Sequence, residues 1–288
     1  MNNRKRTLTY AGILIFLLFI MELAGSYFSR SLSLLSDSFH LFLDISALLV
    51  TITALRLAEN PPTDQATYGH HRYEILATLV NSITLFILGL FILFEAYKRY
   101  LNPQQIIGNL MFIVGLIGLF SNIYLLRVIH HENDKNLSVK SVYWHILGDT
   151  LSSVGVVTGA LIIIFTGFYI VDILLSILIV VLIFSGAGKL LYESLIIILE
   201  RVPRHINIRD IETEVLKINE VKKLHDIHVW SLCSDVHMLS AHVIVNREQL
   251  AHSKNIINKI NQVLSKKFNI NHATLQIESE YCGHDDNR

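Results

Sequence analysis

Six apolar runs dominate this chain, at roughly 9–28, 33–57, 75–97, 106–129, 140–166 and 169–199. Each reaches the roughly 20 residues that a helix needs to cross the hydrocarbon core of a bilayer. Hydrocarbon offers nothing to an open backbone N–H or C=O, so such runs fold as helices that satisfy those groups internally. The first run follows Arg4, Lys5 and Arg6, as a cleaved leader would. It is longer than the about 7–15 apolar residues of a leader and is read as the first spanning helix. Composition agrees: 17% of residues are charged and 52% hydrophobic, against about 25% charged in soluble chains. The expected fold is an α-helical membrane protein with six transmembrane helices in 1–202, followed by a small α+β cytosolic domain in 203–288.

Lys and Arg favour the cytoplasmic face. With the N-terminus inside, that face receives Arg4, Lys5, Arg6, Arg56, Arg72, Arg127, Lys135, Lys140 and Lys189, against Arg30, Lys98 and Arg99 outside. Both termini are therefore expected in the cytoplasm, with the chain in the cell (inner) membrane. The Lys98–Arg99 pair runs against this and is read as snorkelling at a helix end. The formal net charge of zero implies no nucleic-acid partner, and two cysteines, Cys233 and Cys282, are too few for a disulfide scaffold.

After Pro203 the pattern shortens. Residues 210–218 read as an amphipathic helix, 226–232 and 236–246 as strands, 249–268 as a helix and 273–277 as a strand. On the second strand Leu239, Ala241, Val243 and Val245 share one face. The order α-β-β-α-β suits helices packed on one face of a sheet.

Ionisable residues inside a span are costly and mark function. The second span carries His40 and Asp44, and the fifth carries His145 and Asp149. Both pairs are His-x-x-x-Asp, and residues four apart share a helix face. The two helices run in opposite directions and hold their pairs near mid-membrane, so the pairs can converge. Four nitrogen and oxygen ligands suit tetrahedral Zn²⁺, and two carboxylates cancel its charge in apolar surroundings. A lone pair of this kind would be an interhelical hydrogen bond; a doubled one points to metal. Glu22, Asn81, Glu95 and Asn122 are candidates for lining a wet passage, Glu95 more simply pairing with Lys98 and Arg99. Asp37, one turn before His40, is a supporting acceptor or a cap. Asp172 opens the sixth span and is read as a partner of that helix's own dipole.

Other motifs are weaker. Gly186-Ala187-Gly188-Lys189 lacks the first glycine and the final Ser or Thr of a phosphate loop, and His131-Glu132 does not continue to H-E-x-x-H. The loops with His70, His71, His130 and His131 could collect metal without a complete ligand set, while Arg72 and Glu74 are expected to fasten the loop to a helix end. Beyond 203, His225, His242, His252, His272, Glu278, Cys282 and His284 are candidate ligands. His242 and Glu278 lie opposite the apolar faces of their strands, as ligands or as an ordinary polar face.

Six spans, the doubled His-x-x-x-Asp, Tyr68-Gly69-His70-His71-Arg72-Tyr73-Glu74 and a small C-terminal domain together resemble the cation diffusion facilitators. The segments from Ser33 to Asp44 and His225-Asp226-Ile227-His228-Val229-Trp230-Ser231-Leu232 are similar to the zinc-transporter branch that includes bacterial zinc, cobalt and cadmium efflux proteins. The resemblance implies a homodimer that exchanges cytosolic Zn²⁺ for protons by alternating access. It implies His40, Asp44, His145 and Asp149 as transport ligands. It also implies a metallochaperone-like, ferredoxin-like cytosolic domain that dimerises around regulatory zinc, with His225, His242 and Glu278 at ligand positions. Gln276 stands where some members have His, and Thr63 and Ala66 replace the ligands of members with a loop site. A membrane zinc metalloenzyme is the alternative, disfavoured because four protein ligands leave no open position for water. A metal sensor with mere anchors would leave the intramembrane ligands without purpose.

Overall fold

The computed structural model describes the backbone of residues 2–58, 63–130 and 137–281, and the side chains of 12–47, 49–50, 52–53, 63–127 and 146–281. Six long helices come first: α1 (Asn2–Ser29), α2 (Leu32–Ala58), α3 (Arg72–Leu101), α4 (Gly108–His130), α5 (Leu137–Thr166) and α6 (Ile170–Ile198). All six expected spans are helical. By length and apolarity of the described residues, α1, α3, α4, α5 and α6 each can cross a membrane. Phe165, Leu151, Phe120 and Ile87 expose most of their surface, as side chains facing lipid rather than water do. The helices continue with α7 (Ile208–Val215), β1 (Val221–Cys233), β2 (Val236–Val245), a 3-10 turn (Arg247–His252), α8 (Ser253–Phe268) and β3 (Ile270–Glu278).

The chain divides into two compact units, Met1–Ile52 with Val80–Leu190, and Thr53–Leu79 with Leu191–Arg288. In the first, α4 packs against α5 and α1. Small residues permit the approach: a β-carbon on Gly115 would stand 3.2 Å from Val156, and one on Gly25 2.8 Å from Val114. Leu34, Leu85, Met111, Val156 and Ile183 form the apolar centre, with contributions from five helices.

Asp172 does more than expected. Its side chain is fully buried in the first turn of α6, where it meets its own helix dipole as expected, and it also serves the start of α2. It accepts hydrogen bonds from the Leu32 amide (2.6 Å), the Ser33 amide (3.1 Å), the Ser31 hydroxyl (2.7 Å) and the Ser33 hydroxyl (2.6 Å). The reason is that the first turn of α2 has no acidic residue, and the open amides of a helix start need an acceptor where water is absent. The Lys98–Arg99 pair also finds local partners. Arg99 donates to the Arg30 carbonyl (2.6 Å) and to Glu95 (3.2 Å), and Lys98 lies 4.6 Å from the Phe94 ring centre.

In the second unit, β1 and β2 form an antiparallel hairpin through Ser234 and Asp235. The chain then crosses by α8, so that β3 joins β2 in parallel, giving the order β1-β2-β3. Leu239, Ala241, Val243 and Val245 are buried against Ile211, Ile256, Ile260 and Leu264. Asn207 caps α7 by accepting from the Arg209 amide, and Asn269 ends α8 in the left-handed region (φ 55°). The expected α-β-β-α-β order holds. Strand β1 starts five residues earlier than its alternation indicates, because the exposed Lys222 and Lys223 hide its beginning. Residues 247–252 form the 3-10 turn rather than the first turn of α8.

Asp172→Ala leaves two amides and two hydroxyls at the head of α2 without their acceptor. The expected loss is about 3 kcal/mol, the scale of stranded buried donors, read as a lower melting temperature of the detergent-solubilised protein. Asp172→Asn, which keeps an acceptor, is expected to lose less than half of that.

Candidate metal centres

The first centre lies between α2 and α5. On α2, Asp37, His40 and Asp44 are three and four residues apart and share one face. On α5, Asp149 faces them: His40 Nε2 is 2.8 Å from Asp149 Oδ1. Ligand atoms of His40, Asp44 and Asp149 all fall within 4.8 Å of one another. His145 sits one turn before Asp149 on α5; its side chain lies outside the described residues. Three of the four expected ligands are thus gathered from residues 109 positions apart.

A ring of polar groups supports them. Asp37 accepts from the Ser152 hydroxyl (3.0 Å), which ties α2 to α5 beside the ligands. Asn122 donates to the Ser153 hydroxyl (3.0 Å), joining α4 to α5. Glu22 is almost wholly buried, with Oε1 2.7 Å from where a Gly118 β-carbon would be. Its Oε2 has no hydrogen-bond partner among the described residues. Ser152 and Ser153 escaped the reading of the sequence, since hydroxyls are common on apolar helices and nothing local marks these two. Asn81 is half-buried, and Glu95 belongs to the Lys98–Arg99 cluster.

The second centre lies on the sheet face turned away from the core. His225 Nε2 is 3.3 Å from Glu278 Oε2, and His242 Nδ1 is 3.0 Å from Glu278 Oε1. His225 and His242 are cross-strand partners in β1 and β2. Ligand atoms of His225, His242 and Glu278 lie within 4.8 Å of one another. His225 is buried, and its Nδ1 has no hydrogen-bond partner among the described residues. Two imidazoles and a carboxylate suit zinc. Gln276 donates to Glu278 (2.7 Å) and so orients the carboxylate.

The other candidates fall apart from these sets. His252 and His272 are exposed; the side chain of His130 and the whole of His131, Cys282 and His284 lie outside the described residues. Burial pushes the Cys233 thiol up, which suits an inert core cysteine. In the loop, Arg72 meets Glu200 at 2.7 Å and Ser234 donates to Glu74 at 3.4 Å. Both residues stand in the first turn of α3; Arg72 meets Glu200 just beyond the end of α6, while Glu74 meets the β1–β2 turn rather than the expected helix end. His70 and His71 belong to no group of three metal-compatible side chains among the described residues.

Comparison with known proteins identifies the family. Residues 8–199 match the family described as cation efflux transmembrane domain, and residues 203–280 the one described as cation efflux protein, cytoplasmic domain. The chain is 36% identical to the metal cation efflux system protein CzcD of Cupriavidus metallidurans, over 97% of this chain and 88% of that protein. It is 33% identical to the cadmium, cobalt and zinc/H(+)-K(+) antiporter of Bacillus subtilis, over 98% and 91%. It is 34% identical to the zinc transporter ZitB of Escherichia coli, over 98% and 90%. A solved structure of the metal-bound C-terminal domain of CzcD from Cupriavidus metallidurans is 30% identical, covering 25% of this chain and 99% of that one, with a TM-score of 0.24.

The geometry of the first centre separates ligand from support. With the second centre disabled by His242→Ala, Asp149→Ala in the full-length protein is expected to weaken Co²⁺ binding more than about 100-fold, beyond what loss of a supporting residue costs. Ser152→Ala is expected to weaken it about tenfold. Titration of the cobalt absorption bands measures both.

Proposed function

The chain belongs to the cation efflux family, whose members are transporters and not enzymes, and on that premise we propose that it exports divalent metal ions, zinc foremost, across the cytoplasmic membrane in exchange for protons. The observation that carries this reading is the meeting of His40, Asp44 and Asp149 across α2 and α5. His145, one turn from Asp149 on α5, completes four ligands from two helices. Relatives named as zinc transporter and as cadmium, cobalt and zinc antiporter support both the cargo and the exchange.

Each residue has a task. The imidazoles of His40 and His145 supply borderline nitrogen ligands, which favour zinc over ions that prefer all-oxygen sites. Asp44 and Asp149 balance the two positive charges of the cargo. Asp37, anchored by Ser152, holds α2 and α5 in register beside the ligands. A protonated imidazole cannot bind metal, so protons and zinc compete for His40 and His145. Alternating access then lets protons from outside displace zinc on that side and lets zinc displace protons on the cytosolic side. The protein works as a homodimer with both termini in the cytoplasm. Zinc on His225, His242 and Glu278 regulates it from the cytosolic domain.

Proton competition has a definite sign. Zinc affinity of the membrane centre falls as pH drops from about 7.5 to 5.5, through the range where imidazole ordinarily titrates. In proteoliposomes, zinc uptake should rise with an outward-directed proton gradient and stop in His40→Ala and Asp149→Ala; uptake that ignores the gradient refutes the exchange. His40→Asp is expected to admit manganese, with competition assays showing the preference for zinc reduced about tenfold or more, the scale on which nitrogen-for-oxygen exchange alters metal choice.

A further inference from the structure

The sheet face that carries His225 and His242 holds a third histidine, brought there by an irregularity. In a regular strand, residues three apart point to opposite faces. His225 and His228 would therefore be separated by the sheet. Strand β1 instead has a register shift between them: His225 pairs with His242, and His228 pairs with Ser240. Three steps on β1 match two on β2, so one residue is extra and the strand bulges. Ser240 and His242 are two apart on β2 and share a face, which places His228 on the same face as His225. Val229 then returns to the core opposite Leu239.

The bulge is made at Asp226, which stands in the left-handed region at φ 50°. Residues with a β-carbon adopt it at a cost, and such strain gathers at functional positions. Its effect is to set the Asp226 carboxylate between two imidazoles. Oδ1 is 2.9 Å from His228 Nε2, and Oδ2 is 3.8 Å from His242 Nε2. Two atoms that each lie about 2.1 Å from a tetrahedral zinc are about 3.4 Å apart, so Asp226 and His228 can grip one ion with small side-chain shifts. His242 presents its other nitrogen, Nδ1, to Glu278. His228 also lines a cavity of about 1000 Å³ within the second unit, together with Trp230, Ser240, Tyr68, His71 and Arg72. The cavity gives an ion a wet approach to His228.

We propose that Asp226 and His228 form a second divalent-cation site on this face, next to His225, His242 and Glu278, with water completing its coordination. The proposal builds on the regulatory reading of the domain but uses different ligands, so the two can fail separately. The second ion binds more weakly than the first, because it has two protein ligands and a more exposed position. Its occupancy follows cytosolic metal at levels where the first site is already filled.

The test uses the full-length protein in detergent, with Asp44→Ala and Asp149→Ala silencing the membrane centre. Bound Co²⁺ per protomer is counted by its absorption bands, and bound Zn²⁺ by equilibrium dialysis. His228→Ala and Asp226→Asn are each expected to lower the count by one ion and to leave the tighter ion in place. His228→Gln, which preserves bulk, should do the same and guards against a folding defect, provided its metal-free melting temperature matches the parent. An unchanged count in the His228 and Asp226 variants overturns the proposal, even if His225→Ala removes an ion and so upholds the first site. Loss of one ion in His228→Gln with none lost in His225→Ala upholds this site and refutes the regulatory reading instead.

Discussion

A carboxylate in hydrocarbon has no water to turn to, so an acidic group inside the bundle is stabilised when another part of the chain answers it. That demand organises the first unit. Asp172 on α6 receives the open amides of α2, and so fixes where α2 begins. Asp37 on α2 receives Ser152 of α5, and Asp149 of α5 meets His40 of α2. The helix that carries the candidate ligands His40 and Asp44 is thus held at its start by one acidic residue and along its length by two more. Apolar packing around Leu34 and Val156 sets how near the helices come. The polar pairs set which residues meet.

The two metal centres answer to different physics. Between α2 and α5 the cost of charge is high, and the buried groups are tied across helices: Ser152 to Asp37 and Asn122 to Ser153. On the sheet the surroundings are mixed: His225 is sealed while His228 is largely open. Exposure therefore varies along one face, from the sealed His225 to the open His228.

How much of this was legible in the sequence depends on how local each signal is. The paired His-x-x-x-Asp could be read because four residues on a helix make a face, whatever surrounds it. The apolar helices could be read from run length and the α-β-β-α-β order from periodicity, and the pairing of Glu95 with Lys98 and Arg99 from charge placement. The place of Asp172 at the start of its own helix was legible, but its bonds to α2 were not, because those partners are about 140 residues away. Ser152 and Ser153 carry no local mark at all. His228 was seen only as part of a family motif. Its arrival beside His225 depends on a one-residue bulge that strand alternation cannot announce.

The parallel pairing of β3 with β2 has a consequence in time. An antiparallel hairpin such as β1–β2 closes as soon as its turn is made, and it brings His225 and His242 together at once. Glu278 reaches them only after α8 has crossed back, across 53 residues of chain from His225. Contacts so distant in sequence form late, because the intervening loop must first be closed. During synthesis two imidazoles therefore wait side by side before their carboxylate arrives.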